Sequence, residues 1–204
     1  MKNHANQQAQ SLLSRLPPGM PVAIIGSTSF WHADSQQTCI LLGQALAALP
    51  EAVLLTGGVT GIGEACGRSF YQARLDLGLP PQVVHVMPEG MAAWDYGLSL
   101  YAGQDMQERR AVLARMAPVY IVIEGGPATA DEVRIALENG ATVIPFARSG
   151  ACARDAYAQI RKPPALSEAL WAVLGNDAAS VEQTVAAAMD ILASLRTTGT
   201  RMIV

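Results

Sequence analysis

Three glycine-rich segments bring together the residue types able to hold an anion. They are Gly26-Ser27-Thr28-Ser29, Thr56-Gly57-Gly58-Val59-Thr60-Gly61-Ile62-Gly63-Glu64 and Glu124-Gly125-Gly126-Pro127-Ala128-Thr129. Small residues let a backbone approach a ligand closely and donate N–H groups, and the positive end of a following helix adds to the attraction. Any one such segment also fits an ordinary tight turn. Three of them at one edge of a sheet point to a phosphate site. Its candidate contacts are Gly26, Ser27, Thr28, Gly57, Gly58, Thr60, Gly61, Gly125, Gly126 and Thr129. Two familiar phosphate binders do not fit. The first segment lacks the G-x-G-x-x-G pattern of dinucleotide sites and no ribose-binding acid follows the second, while the G-x-x-x-x-G-K-[ST] loop of nucleoside triphosphatases is absent.

The elements that must position these turns follow from apolar patterning. Residues 21–26, 52–56, 83–87, 119–123 and 142–146 are short, β-branched, apolar runs bounded by turn residues, which predicts five buried strands. Helical spacing separates them at 34–49, 61–76, 105–116 and 130–139. Strands apolar on both faces and alternating with helices predict a doubly wound, Rossmann-like α/β fold, its sheet mainly parallel and flanked by helices. A helical C-terminal extension follows, closing on the stripe Val181, Val185, Ala188, Met189, Leu192 and Leu195. Residues 1–20 read as a polar lead and 21–204 as one domain. In such sheets ligands sit beyond the carboxyl ends of the strands, where the three turns lie.

Composition narrows the classes. Half the residues are hydrophobic and 15% charged, so a well-buried globular fold is expected rather than disorder. The basic residues are twelve arginines with lysine only at Lys2 and Lys162, so no lysine stands in the candidate site. A formal charge of −3 argues against a nucleic-acid partner, and no apolar run reaches membrane-spanning length. The N-terminal ten residues have no apolar stretch of secretory type, and Cys39, Cys66 and Cys152 are widely spaced. A cytoplasmic protein with free thiols is expected, without a metal or other required cofactor. Its expected partners are a small phosphorylated molecule and further copies of itself, two or four subunits in all.

Two further segments extend the pattern: Met106-Gln107-Glu108-Arg109-Arg110, and Thr129-Ala130-Asp131-Glu132 at the end of the third turn. With the turn they resemble the Lonely Guy phosphoribohydrolases, long misannotated as lysine decarboxylases, whose pattern is M-x-x-R-K followed by P-G-G-x-G-T-x-x-E. The separation of 23 residues between Arg109 and Glu132 matches that family. The second turn, GGVTGIGEA, is similar to the G-G-x-x-G-V-M-E-A of molybdenum-cofactor carrier proteins, a sister group in the same Rossmann-like superfamily. The resemblance spans about residues 21–147. It implies cleavage of the N-glycosidic bond of a nucleoside 5′-monophosphate, with Arg109 and Glu132 as the catalytic pair and Arg110 and Thr129 among the phosphate contacts. The sister group implies the alternative: a carrier or sensor of molybdenum cofactor or a nucleotide, without turnover. Glycosidic cleavage builds an oxocarbenium ion, which the Glu132 carboxylate would stabilise while orienting water. Arg109 would offer fixed donors to the phosphate or departing base.

The same residues fit plainer roles. Thr129 to Glu132 also spells a capping box, and Asp105 to Glu108 spells another, which would leave Arg109 and Arg110 on a first-turn surface. Glu124 stands where the Lonely Guy pattern has Pro, and is expected to oppose the phosphate. Ala128 stands where it has Gly; were positive φ needed there, alanine would cost about 1 kcal/mol. Trp94, Tyr96 and Tyr101 fit either a stacking surface for a flat ligand or a pin holding their own loop. Trp31 and His32 could touch a ligand. His4 and His85 make no metal pattern, and Cys152 has no paired His.

Overall fold

The structure, a computed structural model, describes residues 2–164 and 166–197. Six strands form one parallel sheet: β1 (Met20–Gly26), β2 (Ala52–Thr56), β3 (Val83–Met87), β4 (Leu98–Tyr101), β5 (Val119–Ile123) and β6 (Thr142–Phe146). Their spatial order is β4-β3-β2-β1-β5-β6. The chain thus builds outward from β1 to β4, then returns past β1 to add β5 and β6. The carboxyl ends of β1 and β5 flank the topological switch point, where ligands of such sheets sit.

Strand alternation sends Val22 and Ile24 to one face and Ala23 and Ile25 to the other, and both faces are covered. The first face packs on α2 (Ser35–Ala47), α3 (Ile62–Asp76), α7 (Glu168–Leu174) and α8 (Val181–Thr197), through Leu42, Phe70, Trp171 and Ile191 among others. The second packs on α1 (Lys2–Leu13), α4 (Met106–Leu113), α5 (Pro127–Glu138) and α6 (Ala151–Gln159), through Leu12, Leu113, Val133 and Ala153. The doubly wound parallel fold expected from patterning is the one observed, and α8 packs against α2 with the stripe that the spacing marked. No helix among the described residues is long and apolar enough to cross a membrane.

Three elements differ from expectation. Residues 88–104 contain a sixth strand, β4, whose partners run from Val84↔Leu98 to Met87↔Tyr101. It is an edge strand of four residues with only Leu100 fully covered, so it has neither the length nor the apolar character of the others. The polar lead holds α1, which buries Ala5, Ala9 and Leu12 on one stripe. Helix α5 starts at Pro127 rather than at residue 130, because proline at the first helical position needs no amide partner and already has helical φ.

Candidate functional site

The first two turns are joined by their backbones. Ile62 N donates to Ser27 O at 3.0 Å and Thr60 Oγ1 donates to Thr28 O at 3.1 Å. Gly61 makes this approach possible: its φ is +85°, and a Cβ there would lie 2.5 Å from Ser27 O. The third turn is tied to the first, as Thr129 Oγ1 donates to Gly26 O at 3.2 Å. The three segments therefore meet at the switch point. Their hydroxyl protons on Ser27, Thr60 and Thr129 are already engaged within the protein. Ala128 and Thr129 precede the first intrahelical bond, Ala130 N to Gly126 O, so their amides have no helical acceptor at the α5 N-terminus.

Arg109 and Glu132 meet in this structure. Arg109 Nη1 donates to Glu132 Oε1 at 2.9 Å, and the residues are 4% and 6% exposed. Asp105 does cap α4, accepting from Gln107 N and Glu108 N at 2.8 and 2.9 Å, yet Arg109 turns inward rather than to the surface. Its guanidinium lies on Gly57, where a Cβ would come within 2.7 Å of Nη1. The second turn thus forms the floor of the pair. The capping-box role of Thr129 and Glu132 is not realised: α5 is entered from Gly126, Thr129 bonds Gly26, and Glu132 bonds Arg109. Burial pushes the Glu132 carboxyl up from its ordinary 4.5 to about 7, against the pull of Arg109 and Arg110. The Nε of Arg109 is buried without an acceptor. Arg110 stays at the rim, 4.0 Å from Asp131.

Glu124 is the residue whose part differs most from expectation. It is fully buried, with φ +53°, and it points away from the outward face of its turn. Its carboxylate accepts from Trp31 N at 2.9 Å and His32 N at 2.6 Å, and from the hydroxyls of Ser27 and Ser35. Ser149 Oγ accepts from Glu124 N at 2.8 Å, and Ala153 N donates to Glu124 O at 3.1 Å. The carboxylate therefore binds the first turn to the third instead of repelling a ligand at the third. Ser35 and Ser149, which are not among the expected phosphate contacts, belong to this arrangement. Ala128 lies within α5 and is not among the residues with positive φ, so the expected strain does not arise.

The aromatic loop pins itself. Tyr96 is buried, with its ring 4.7 Å from His85 and 5.8 Å from Trp94, and Arg68 lies over it at 4.6 Å. His85 is held between Thr56 Oγ1 at 2.7 Å and Tyr96 O at 3.1 Å, and burial lowers its pKa to about 4. The exposed aromatic at the site is instead Trp31, 58% accessible, whose Cη2 approaches Gly126. Trp31, Gly125, Gly126 and Pro127 open onto a cavity of about 920 Å³ between α5 and α6, walled by Ala130, Val133, Leu137, Ala156 and Ile160. Cys152 also lines it, but burial raises its thiol to about 11, unfit for a nucleophile. Glu132 projects toward α4 from the other side of α5, so this cavity is beside the pair and not over it.

Residues 19–170 match the SLOG cluster4 family. No curated protein matches the chain. Among solved structures, the X-ray structure of TM1055, a structural-genomics target, is 24% identical over 74% of this chain and 88% of that one, with a TM-score of 0.59. The Moco carrier protein of Chlamydomonas reinhardtii is 19% identical over 86% and 98% of the respective chains, with a TM-score of 0.54. At these identities the likeness is one of fold. DNA processing protein A of Helicobacter pylori, described for its single-stranded DNA binding mode, is 17% identical over 65% and 66%, with a TM-score of 0.47. At that TM-score the likeness says nothing of what this chain binds, and the expectation that nucleic acid is excluded is corrected on physical grounds alone. A whole-chain charge of −3 does not decide the matter, because single strands are held by local grooves and stacking surfaces. The exclusion of nucleic acid is therefore withdrawn.

Proposed function

This chain belongs to the SLOG cluster4 family, and on that premise we propose that it cleaves the N-glycosidic bond of a nucleoside 5′-monophosphate. The observation that carries the reading is the buried Arg109–Glu132 pair on the floor made by Gly57, one helical turn from the open amides of the α5 N-terminus. The phosphate binds those amides beside Gly125 and Gly126, with Arg110 at the rim. Arg109 Nε is a buried donor with no acceptor, suited to the phosphate or the departing base.

Glu132 performs the chemistry. As the C1′–N bond breaks, its electron pair leaves with the base and positive charge spreads over C1′ and the ring oxygen. An ionised carboxylate below the sugar stabilises that charge, and orients the water that adds at C1′. A group titrating near 7 is poised to take the proton of that water at neutral pH, and that proton then passes to the base nitrogen that received the C1′–N electron pair, which restores the carboxylate. The products are free base and ribose 5-phosphate. No metal or organic cofactor takes part in this reading.

A second reading is favoured by one feature of the pair. Arg109 already occupies Glu132 Oε1, and both side chains are nearly covered, which suits a carrier that holds a nucleotide or molybdenum cofactor without turning it over. The test is a panel of nucleoside 5′-monophosphates with wild-type protein and Glu132→Gln, followed by chromatography of base and ribose 5-phosphate. Release by the wild type alone supports the hydrolase. Binding without release by either protein supports the carrier, and neither binding nor release refutes both.

A further inference from the structure

The Glu124 carboxylate sits where a doubly wound sheet ordinarily receives a ligand's anion, between the carboxyl ends of β1 and β5. Its surroundings are those of a phosphate cradle. Two successive amides, Trp31 N and His32 N, and the Ser35 hydroxyl converge on Oε1, while the Ser27 hydroxyl bonds Oε2. The amides lie just ahead of α2, whose N-terminal end favours negative charge. Among the described residues no cation lies within ion-pair distance of Glu124. Asp34, the N-cap of α2, directs its own carboxylate to Arg148 at 2.7 Å instead of to the helix amides. The buried charge is therefore met by amides and hydroxyls alone, as bound phosphates are in backbone nests.

The side chain is also held at a cost. Glu124 has φ +53°, a region that non-glycine residues rarely occupy, and neighbours on both sides fix it there through Ser149 Oγ and Ala153 N. A residue that served only to start α5 would need none of this.

We infer that Glu124 is a built-in anion that fills the phosphate-receiving cradle of the first turn, making the site selective for ligands with a single phosphate. The inference rests on the proposed phosphate site at the third turn. With the first cradle filled, only the α5 N-terminus receives a phosphate. A diphosphate, or the pyrophosphate of a dinucleotide, would need a buried carboxylate to leave four hydrogen bonds. Ser27 and Thr28 then serve the protein's own carboxylate and backbone instead of the ligand.

The test empties the cradle. Glu124→Gly removes the carboxylate and relieves the positive φ, and Glu124→Asn does so with a residue that tolerates that φ. Glu124→Gln keeps the cradle filled with a neutral group. Thermal midpoints of all four proteins are compared in inorganic phosphate, pyrophosphate and sodium chloride at equal ionic strength. The wild-type rise in phosphate over chloride reports the third-turn site, and its absence would count against the proposed function. The rise in Glu124→Gly or Glu124→Asn beyond the wild type reports the emptied cradle. Pyrophosphate is expected to bind these two variants at least tenfold more tightly than it binds the wild type or Glu124→Gln. A variant that folds only with phosphate present also supports the inference. Variants whose midpoints follow the wild type in every salt, or that stay unfolded in all of them, overturn it.

Discussion

Replacing Glu132 by Gln should change how stability depends on pH, by an amount that follows from the burial of the pair. The carboxyl titrates at about 7 in the folded chain against an ordinary 4.5, with burial the largest cause. Between those values the folded protein holds a proton that the unfolded chain has released. The favourable contribution is therefore complete below about 4.5 and is lost as pH rises through 7. At about 1.4 kcal/mol per pH unit, the interval amounts to about 3 kcal/mol. Gln cannot titrate, and whatever it loses by leaving Arg109 without a charged partner at high pH enters with the same sign at every pH above 7. Urea unfolding of both proteins at pH 5, 6, 7 and 8 gives the difference in free energy at each step. The wild type should lose about 2–3 kcal/mol relative to Glu132→Gln between pH 5 and 8, because part of the interval lies below pH 5. A difference that stays flat, or that favours the wild type as pH rises, would refute the claim that burial dominates the pair.

Further expectations concern turnover and binding. If the ionised carboxylate is the active form, the rate of base release should rise with pH through about 7 and level off above, and Glu132→Gln should be slow and flat; a wild-type profile without that rise counts against the role. Gly57→Ala places a Cβ 2.7 Å from Arg109 Nη1 and should displace the guanidinium. It should lower stability by about 1–3 kcal/mol, with base release falling in parallel, as read by urea unfolding and product chromatography. Trp31→Ala should weaken a nucleoside monophosphate by about tenfold, from a stacking energy of about 1–3 kcal/mol per base, and leave ribose 5-phosphate unchanged in calorimetric titration.

The principal strands were legible because they are runs such as Val119-Tyr-Ile-Val-Ile123 that are apolar on both faces, a pattern few other elements share. Edge strand β4 was not, since Leu98-Ser-Leu-Tyr101 buries little and draws its definition from pairing with β3. Helix α1 was hidden for a similar reason: its buried stripe is mostly alanine among Gln and Asn. The resemblance to the Lonely Guy and molybdenum-cofactor carrier superfamily agrees with the family match and with the fold likenesses. The spacing of Arg109 and Glu132 was readable because the helices bearing them flank one strand, β5. Glu124 was misjudged because its partners Ser27 and Ser35 are 97 and 89 residues away in the chain, so only the closed sheet reveals the cradle. In sequence, Trp94, Tyr96 and Tyr101 fit a stacking surface and a loop pin equally, because nothing local shows what lies beneath them. His85, on the strand beneath, holds Tyr96 and Trp94 by ring contacts, whereas Trp31, beyond the first turn, is exposed.

The most direct test of the central claim is the reaction of a nucleoside 5′-monophosphate in water enriched in oxygen-18, with both products weighed by mass spectrometry. Hydrolysis at C1′ predicts one heavy oxygen in ribose 5-phosphate and none in the base. Label in released phosphate or in an altered base, or no product from protein that binds the nucleotide, would contradict the account.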